Sequence, residues 1–260
     1  MPEIIFIISL LIIAAIIYTA RRKKTPLTQP DFQTEKQILE EQVLFYKGLT
    51  AEEKIRFEES LQLFLQKVRI TGVKTTVEDI DRIFIAAAAI IPIFAFKSWE
   101  YRNIHEVLLY PDSFDKDYHI EGHGRDTLGM VGNGPMQNVM ILSQHDLRNG
   151  FLNHTDKSNT AIHEFVHLVD KADGDIDGFP TALLPHKYSL PWLKRIHEEI
   201  QQIKTGESDI NPYAATSESE FLAVAAEYFF EQPHLMKQKH PGLFEMLEQI
   251  FTPPPTMRLN

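Results

Sequence analysis

Residues 159–170 read "NTAIHEFVHLVD", in which two histidines stand four positions apart and a glutamate follows the first. Residues i and i+4 of an α-helix share a face, so His163 and His167 can bind one cation. Glu164 is displaced around the helix and can contact a metal-bound water without binding the metal itself. This H-E-x-x-H arrangement is typical of zinc peptidases. The alternative is an amphipathic helix whose histidines are satisfied by structural hydrogen bonds.

The composition around this pair favours metal binding. The helix is largely apolar, so its histidines would be buried, and burying them without partners costs free energy. The chain contains no cysteine, which excludes disulfides, thiolate metal sites and a cysteine nucleophile. A transition metal must therefore be held by histidine and carboxylate, and the sequence predicts Zn²⁺.

A catalytic zinc site takes three protein ligands and keeps one position open, so a third ligand is needed. Asp173 has the spacing of a metzincin ligand, but Asp170 stands where that pattern needs glycine. Glu220 and Glu227 lie seven residues apart in "SESEFLAVAAEYFFEQ" and share a helix face. Glu220 also fits a capping box with Ser217. The residues alone give the two glutamates equal weight.

The segment after the histidine pair is rich in aspartate. Asp170 is expected either to accept a hydrogen bond from His167 or to lie on the surface at the helix end. The following "DGDIDGF" matches the first half of an EF-hand loop, but Leu184 stands where that loop needs glutamate. We therefore interpret this run as a turn after the helix.

The first residues differ from the rest of the chain. Ile4–Ala20 are uncharged and apolar, and Arg21–Lys24 follow directly. Such a run makes a helix of about 25 Å, close to the roughly 30 Å hydrocarbon core of a bilayer. A cleaved signal peptide would carry positive charge before the apolar run, whereas Glu3 stands here. We predict an uncleaved transmembrane anchor at residues 1–24 and, from its positive flank, a cytoplasmic catalytic domain.

The remaining chain predicts an α+β fold, mainly helical with a small sheet. We expect a tether with a short helix at residues 25–47 and one catalytic domain at residues 48–255. The strand candidates are Glu106–Pro111 and Met136–Gln144, with a loop at residues 112–134 between them. Helices are predicted at Glu35–Phe45, after the Thr50–Glu53 capping box, in the buried stretch Ile83–Phe96, and at Asn159–Lys171, Leu190–Lys204, Glu218–Glu231 and Leu243–Phe251.

Two sequence blocks resemble a known family. "AIHEFVHLVDKADGDIDGFP" and "INPYAATSESEFLAVAAEYFFEQP" resemble, in order and spacing, the Mlc titration factor A family of zinc metallopeptidases. "GLTAEEKIRFEESLQLFLQ", "FIAAAAIIPIF", "EVLLYP" and "GPMQNVMILSQHDL" extend the resemblance over most of residues 48–251. The second block also resembles the catalytic domain of anthrax lethal factor, a related zincin.

The resemblance implies a zincin-like domain whose sheet edge lies beside the cleft. It implies that the third ligand is Glu220, seven residues after Tyr213, and that Glu227 is a supporting helix residue. It also implies aminopeptidase-type activity on short peptides. The best-known member of the family is a soluble cytosolic protein that binds a glucose-responsive transcriptional repressor, and this chain departs from it by its apparent anchor.

These residues predict a mechanism. His163, His167 and Glu220 would hold Zn²⁺, and Glu164 would act as general base toward the metal-bound water. Tyr213 is expected to hydrogen-bond the oxyanion that develops, although it could instead be a packing residue of the turn. The stretch "GNGPMQNVMIL" is expected to offer an edge strand to an extended peptide.

The net charge of the chain bears on the partners that it can bind. The formal net charge of −10 argues against binding the phosphate backbone of nucleic acid. The H-E-x-x-H motif predicts a peptide or protein substrate, the apolar N-terminal run predicts the membrane as a partner, and the family resemblance implies a regulatory protein. The alternative function is a membrane-tethered module that sequesters a regulator and keeps zinc for structure, although a purely structural zinc site has no use for Glu164. Cleavage of the apolar leader would instead make the chain a secreted or periplasmic peptidase.

Overall fold

The computed structural model describes residues 32–252 apart from 98, 115–126, 133–136, 154, 182 and 184–188. The predicted anchor at residues 1–24 and the first part of the tether lie outside these residues. Within the described ranges, no helix combines the length and the apolarity needed to cross a membrane.

A four-stranded mixed sheet forms one layer of the domain. Its strands are β1 (Arg69–Gly72), β2 (Glu106–Tyr110), β3 (Gly129–Val131) and β4 (Val139–Ser143). They are ordered β1-β2-β4-β3, with β1, β2 and β4 parallel and β3 antiparallel to β4 at one edge. The predicted strands correspond to β2 and β4, but β4 lies inside the sheet. The expectation that its stretch offers an edge was therefore wrong, because β3, within the predicted loop, covers it.

Helices make up most of the described chain. The α-helices are α1 (Phe32–Gln42), α2 (Leu44–Lys47), α3 (Ala51–Lys67), α4 (Asp79–Ile90), α5 (Gln144–Leu152), α6 (Thr160–Asp170), α7 (Ser189–Thr205), α8 (Glu218–Glu231), α9 (Pro233–Lys239) and α10 (Pro241–Phe251). The Thr50–Glu53 capping box forms as predicted and begins α3. The α+β class, with a small sheet among many helices, is confirmed.

The core is built on two apolar helices. In α4, every residue from Ile83 to Ile90 is at most 5% exposed, and a 3₁₀ turn with Pro92 then ends the helix, as expected for a buried helix rather than a membrane span. Helix α6 packs against α4 on one side and α8 on the other. The H-E-x-x-H helix is thus held in place by its packing against core helices.

The first two helices belong to the same core. Leu39, Val43 and Tyr46 are at most 1% exposed and pack with the residues of α3 and α4. Val43 breaks the single helix that the sequence predicts into α1 and α2. We therefore propose that the catalytic domain, predicted to begin at residue 48, includes α1 and α2.

A buried carboxyl group on α1 makes the stability of the domain depend on pH. Glu35 is fully buried against α3, where Gln62 donates a hydrogen bond to one carboxylate oxygen and the other oxygen has no hydrogen-bond partner among the described residues. Burial, together with the neighbouring Glu58 carboxylate, raises the pKa of Glu35 to about 7 despite that hydrogen bond. The folded state is therefore more stable while Glu35 is protonated. The free energy of unfolding falls as pH rises from about 4.5 through about 7.

We predict that Glu35→Gln removes this loss. The free energy of unfolding of the wild type should fall by up to about 3 kcal/mol more than that of the variant between pH 4.5 and 8, since one pKa unit corresponds to about 1.4 kcal/mol. Urea unfolding across this pH range measures the difference. Glu59→Gln, which removes an exposed carboxylate from α3, is the control. An equal fall in wild type and Glu35→Gln would contradict the prediction.

Candidate metal centre

The two histidines of α6 meet on the side of the helix that faces a cleft. Asn159 caps the helix, because its side-chain oxygen accepts a hydrogen bond from the backbone N–H of Ile162. The side chains of His163 and His167 are only 12% and 11% exposed, and their Nε2 atoms lie 3.1 Å apart. The shared helix face predicted from the sequence therefore places two nitrogen donors at one point.

Glu220 joins this pair from the first turn of α8. Its Oε2 lies 3.1 Å from Nε2 of His163 and 3.5 Å from Nε2 of His167. The hydroxyl of Ser217 accepts a hydrogen bond from the backbone N–H of Glu220, which begins the helix. The cap and the histidine contact are thus compatible, because the first uses the backbone of Glu220 and the second its side chain.

The geometry of these three donors suits one zinc ion. Ligands at about 2.0–2.1 Å from a tetrahedral zinc lie about 3.3 Å from one another. The three separations of 3.1, 3.1 and 3.5 Å match that spacing. The set of two imidazole nitrogens and one carboxylate oxygen is also one that catalytic zinc takes.

The electrostatics of the site favour a positive charge at its centre. Burial acts to lower the pKa of His163, but hydrogen bonds with Glu220 and Glu227 outweigh it and raise the pKa to about 10. Burial likewise acts to raise the pKa of Glu220, whereas the two histidines lower it to about 2. The carboxylates thus stabilise a cation among the donors, which a proton or a metal ion can supply.

Glu227 lies on the opposite side of the His163 ring. Its Oε1 is 2.7 Å from Nδ1 of His163, while its Oε2 accepts hydrogen bonds from the backbone N–H of Asn159 at 2.6 Å and from the Ser158 hydroxyl at 3.1 Å. An N–H on Nδ1 directs the Nε2 lone pair of His163 toward His167 and Glu220. The two glutamates that the residues alone could not distinguish therefore occupy different positions, and Glu227 orients a histidine.

Glu164 faces the cleft beside the donors. It is 6% exposed, and burial raises its pKa, opposed by the nearby His163 and His167. Strand β3 passes directly over it at Gly129. The cleft is bordered by β3 on one side and by Tyr213 and Glu220 on the other.

Tyr213 lies in a 3₁₀ turn at Pro212–Ala215, where the Asn211 side chain accepts a hydrogen bond from its backbone N–H. Its side chain is 53% exposed and its ring centre is 6.3 Å from that of His163. Burial of the hydroxyl raises its pKa, as do the Glu220 and Glu164 carboxylates. A tyrosine this exposed is accessible to a ligand in the cleft that it lines.

Asp170 differs from both sequence expectations. It is 1% exposed, not on the surface, and one carboxylate oxygen accepts a hydrogen bond from the backbone N–H of Gly178 at 2.8 Å. Its other oxygen and Nδ1 of His167 are buried without a hydrogen-bond partner in the described part of the chain. The expected bond to His167 is therefore not formed, and Asp170 instead holds the loop that follows α6.

Gly178 joins three elements around the site. Besides its bond to Asp170, its carbonyl accepts a hydrogen bond from the indole of Trp192 on α7 at 2.8 Å. Its φ is +80°, and a Cβ there would lie 2.4 Å from the carbonyl oxygen of Glu218, two residues before Glu220. This close backbone approach sets the start of α8 relative to the end of α6, a contact that no motif in the sequence revealed.

Comparisons with known proteins match most of the chain. The family described as glucose-regulated metallo-peptidase M90 matches residues 18–252, which include α6 and α8. Mlc titration factor A of Escherichia fergusonii is 31% identical over 232 residues, covering 82% of this chain and 84% of that protein. The protein of the same name from Salmonella arizonae is 29% identical, covering 82% and 88%. An uncharacterised protein of Synechocystis sp. is 28% identical over 225 residues, covering 82% of each.

We predict that Glu220→Gln removes tight zinc binding, whereas Glu227→Gln weakens it. An amide is a poor zinc ligand, while the loss of a group that supports a ligand histidine costs about 10- to 100-fold in affinity. Titration with zinc against a chelating dye measures both affinities after the metal has been removed. Wild-type affinity in Glu220→Gln would exclude this glutamate as a ligand.

We also predict that Gly178→Ala weakens zinc binding about 10- to 100-fold, because the added methyl group pushes the start of α8 away from α6. Gly206→Ala is the matched control. Gly206 has a φ of +75°, but a Cβ there would meet no atom of the described residues within 4 Å, so both variants place alanine at a similar positive φ and only one carries the collision. Equal zinc affinity in the two variants would contradict the prediction.

Proposed function

Because the chain belongs to the glucose-regulated metallo-peptidase M90 family, and resembles Mlc titration factor A as its motifs indicated, we propose that it is a zinc-dependent peptidase. The observation that carries the proposal is the convergence of three donors within 3.5 Å of one another, with a buried carboxylate on the adjacent helix position. We assign metal binding to His163, His167 and Glu220.

Glu164 is the proposed general base. Zinc held by these three residues would supply a Lewis acid and would lower the pKa of a bound water to about 7. The Glu164 carboxylate accepts a proton from the attacking water and passes it to the leaving amine. Its burial supports this role, since a raised pKa brings the carboxyl group nearer to the pH at which it must both accept and donate a proton.

Tyr213 and β3 are the proposed contacts of the substrate. The Tyr213 hydroxyl, whose pKa is raised by burial and by the neighbouring Glu220 and Glu164 carboxylates, donates a hydrogen bond to the oxyanion that develops on the scissile carbonyl. An extended peptide adds to the outer edge of β3, the last strand of the described sheet. We propose aminopeptidase-type cleavage of short peptides, as the family resemblance implies.

The N-terminal segment completes the proposal. Ile4–Ala20 form a membrane anchor, and Arg21–Lys24 hold the catalytic domain on the cytoplasmic side. The second candidate function is a tethered protein that binds a transcriptional regulator, with peptidase activity secondary or absent. The names of the relatives in Escherichia fergusonii and Salmonella arizonae favour it, since they describe titration of Mlc.

We predict that Glu164→Gln lowers the rate of peptide hydrolysis by about 10²- to 10⁴-fold, the usual contribution of a general base. Zinc content should be unchanged, because Glu164 is not one of the three converging donors. Steady-state hydrolysis of short peptides, with metal analysis of the same samples, tests this, and Glu207→Gln at an exposed position is the control. Hydrolysis at the wild-type rate by zinc-loaded Glu164→Gln would refute the proposed role. A wild type that binds zinc and a regulator but cleaves no peptide would favour the second function.

A further inference from the structure

The backbone of Gly129 lies so close to Glu164 that any residue with a Cβ at position 129 would collide with the Glu164 side chain. A Cβ built on Gly129 would be 2.6 Å from Cγ of Glu164, 2.8 Å from Oε1 and 3.0 Å from Cδ. Carbon atoms in contact are normally about 3.5–4.0 Å apart. Any larger residue at position 129 of β3 would therefore displace the Glu164 carboxylate.

Strand β3 has little freedom to move away from this contact. It pairs with β4 through Gly129–Val131, and two further backbone hydrogen bonds extend that pairing, from Ser143 to Leu128 at 2.9 Å and from Gly132 to Val139 at 2.8 Å. On the side before the strand, Thr127 and Phe114 exchange two backbone hydrogen bonds of 3.0 and 3.1 Å. A shift of β3 would break this ladder.

Helix α6 is equally fixed on the other side of the contact. Ile162, Phe165 and Val166 are at most 1% exposed in the core. Asn159 caps the first turn, and its own backbone N–H is held by Glu227. The side chain of Glu164 is then the one part of this contact that can yield.

We propose that Gly129 is a positioning residue that sets the place of the Glu164 carboxylate in the cleft. The inference rests on the proposed function, since it concerns the geometry of the proposed base. Because residue 129 has no side chain, the Glu164 carboxylate packs directly against the strand backbone and still lines the cleft. A misplacement of about 1 Å in a reacting group can lower a rate by about 100-fold.

The first test compares Gly129→Ala with Gly48→Ala in the zinc-loaded full chain. At Gly48, which has a helical φ of −78°, a Cβ would meet its nearest atom at an ordinary 3.5 Å, so the second variant controls for the substitution itself. We expect Gly129→Ala to lower kcat by about 10- to 100-fold with KM and zinc content unchanged, and Gly48→Ala to lower neither. Wild-type kcat in folded, zinc-loaded Gly129→Ala would overturn the inference.

A second test needs no hydrolysis. Thermal unfolding is measured for wild type, Gly129→Ala, Glu164→Ala and the double variant. Because the methyl group collides with the Glu164 side chain, Gly129→Ala should lower Tm in the wild type and not in the Glu164→Ala background. An equal loss in both backgrounds would place the strain elsewhere and overturn the inference.

The two tests also separate this inference from the proposed function. If the zinc-loaded wild type cleaves no peptide, the peptidase proposal fails, and the unfolding cycle still decides whether Gly129 sets the position of Glu164. If the wild type is active and Gly129→Ala equally so, the function stands and the inference fails.

Discussion

The hydrogen bonds of the Glu227 carboxylate are the contact on which the site depends. One oxygen orients His163 through Nδ1, and the other accepts from the backbone N–H of Asn159 at the start of the histidine helix. Helix α8 is thereby fixed to the N-terminal end of α6. Glu220 precedes Glu227 by two turns, about 10 Å along the axis, so the same alignment brings its carboxylate to the two histidines. A single buried acid thus sets both the orientation of the His163 ring and the distance of the Glu220 carboxylate from it.

The far end of the site is held by a different kind of contact. Asp170 and Trp192 both bind the backbone of Gly178, and Gly178 touches the backbone before Glu220 too closely for any side chain. Helices α6 and α8 are therefore joined at two places, by carboxylate hydrogen bonds at one end and by glycine packing at the other. Such a frame holds three electron-rich donors within 3.5 Å, an arrangement that is unfavourable unless a cation lies among them.

Much of the architecture was predictable because its signals are local. The predicted helix Glu218–Glu231 has the observed bounds, and Asn159–Lys171 differs from α6 by one residue at each end. Strands β1 and β3 were missed, since runs of four and three residues carry too little periodicity to distinguish them from loops. The missed β3 also explains the wrong edge strand, because the position of β4 in the sheet depends on what pairs beside it.

The sequence by itself determined the chemistry of the candidate site: the residue types, the i, i+4 spacing that places His163 and His167 on one face, and the acid adjacent to the first of them. It also determined the absence of thiolate ligands and the apolar segment before the domain. Only the tertiary structure brought the Glu220 carboxylate to both histidines and the Glu227 carboxylate to Nδ1 of His163, placed Asp170 against Gly178 rather than His167, and brought β3 over Glu164. The physical reason is that helix geometry relates neighbours a few residues apart, whereas contacts between α6, α8 and β3 depend on how distant segments pack together.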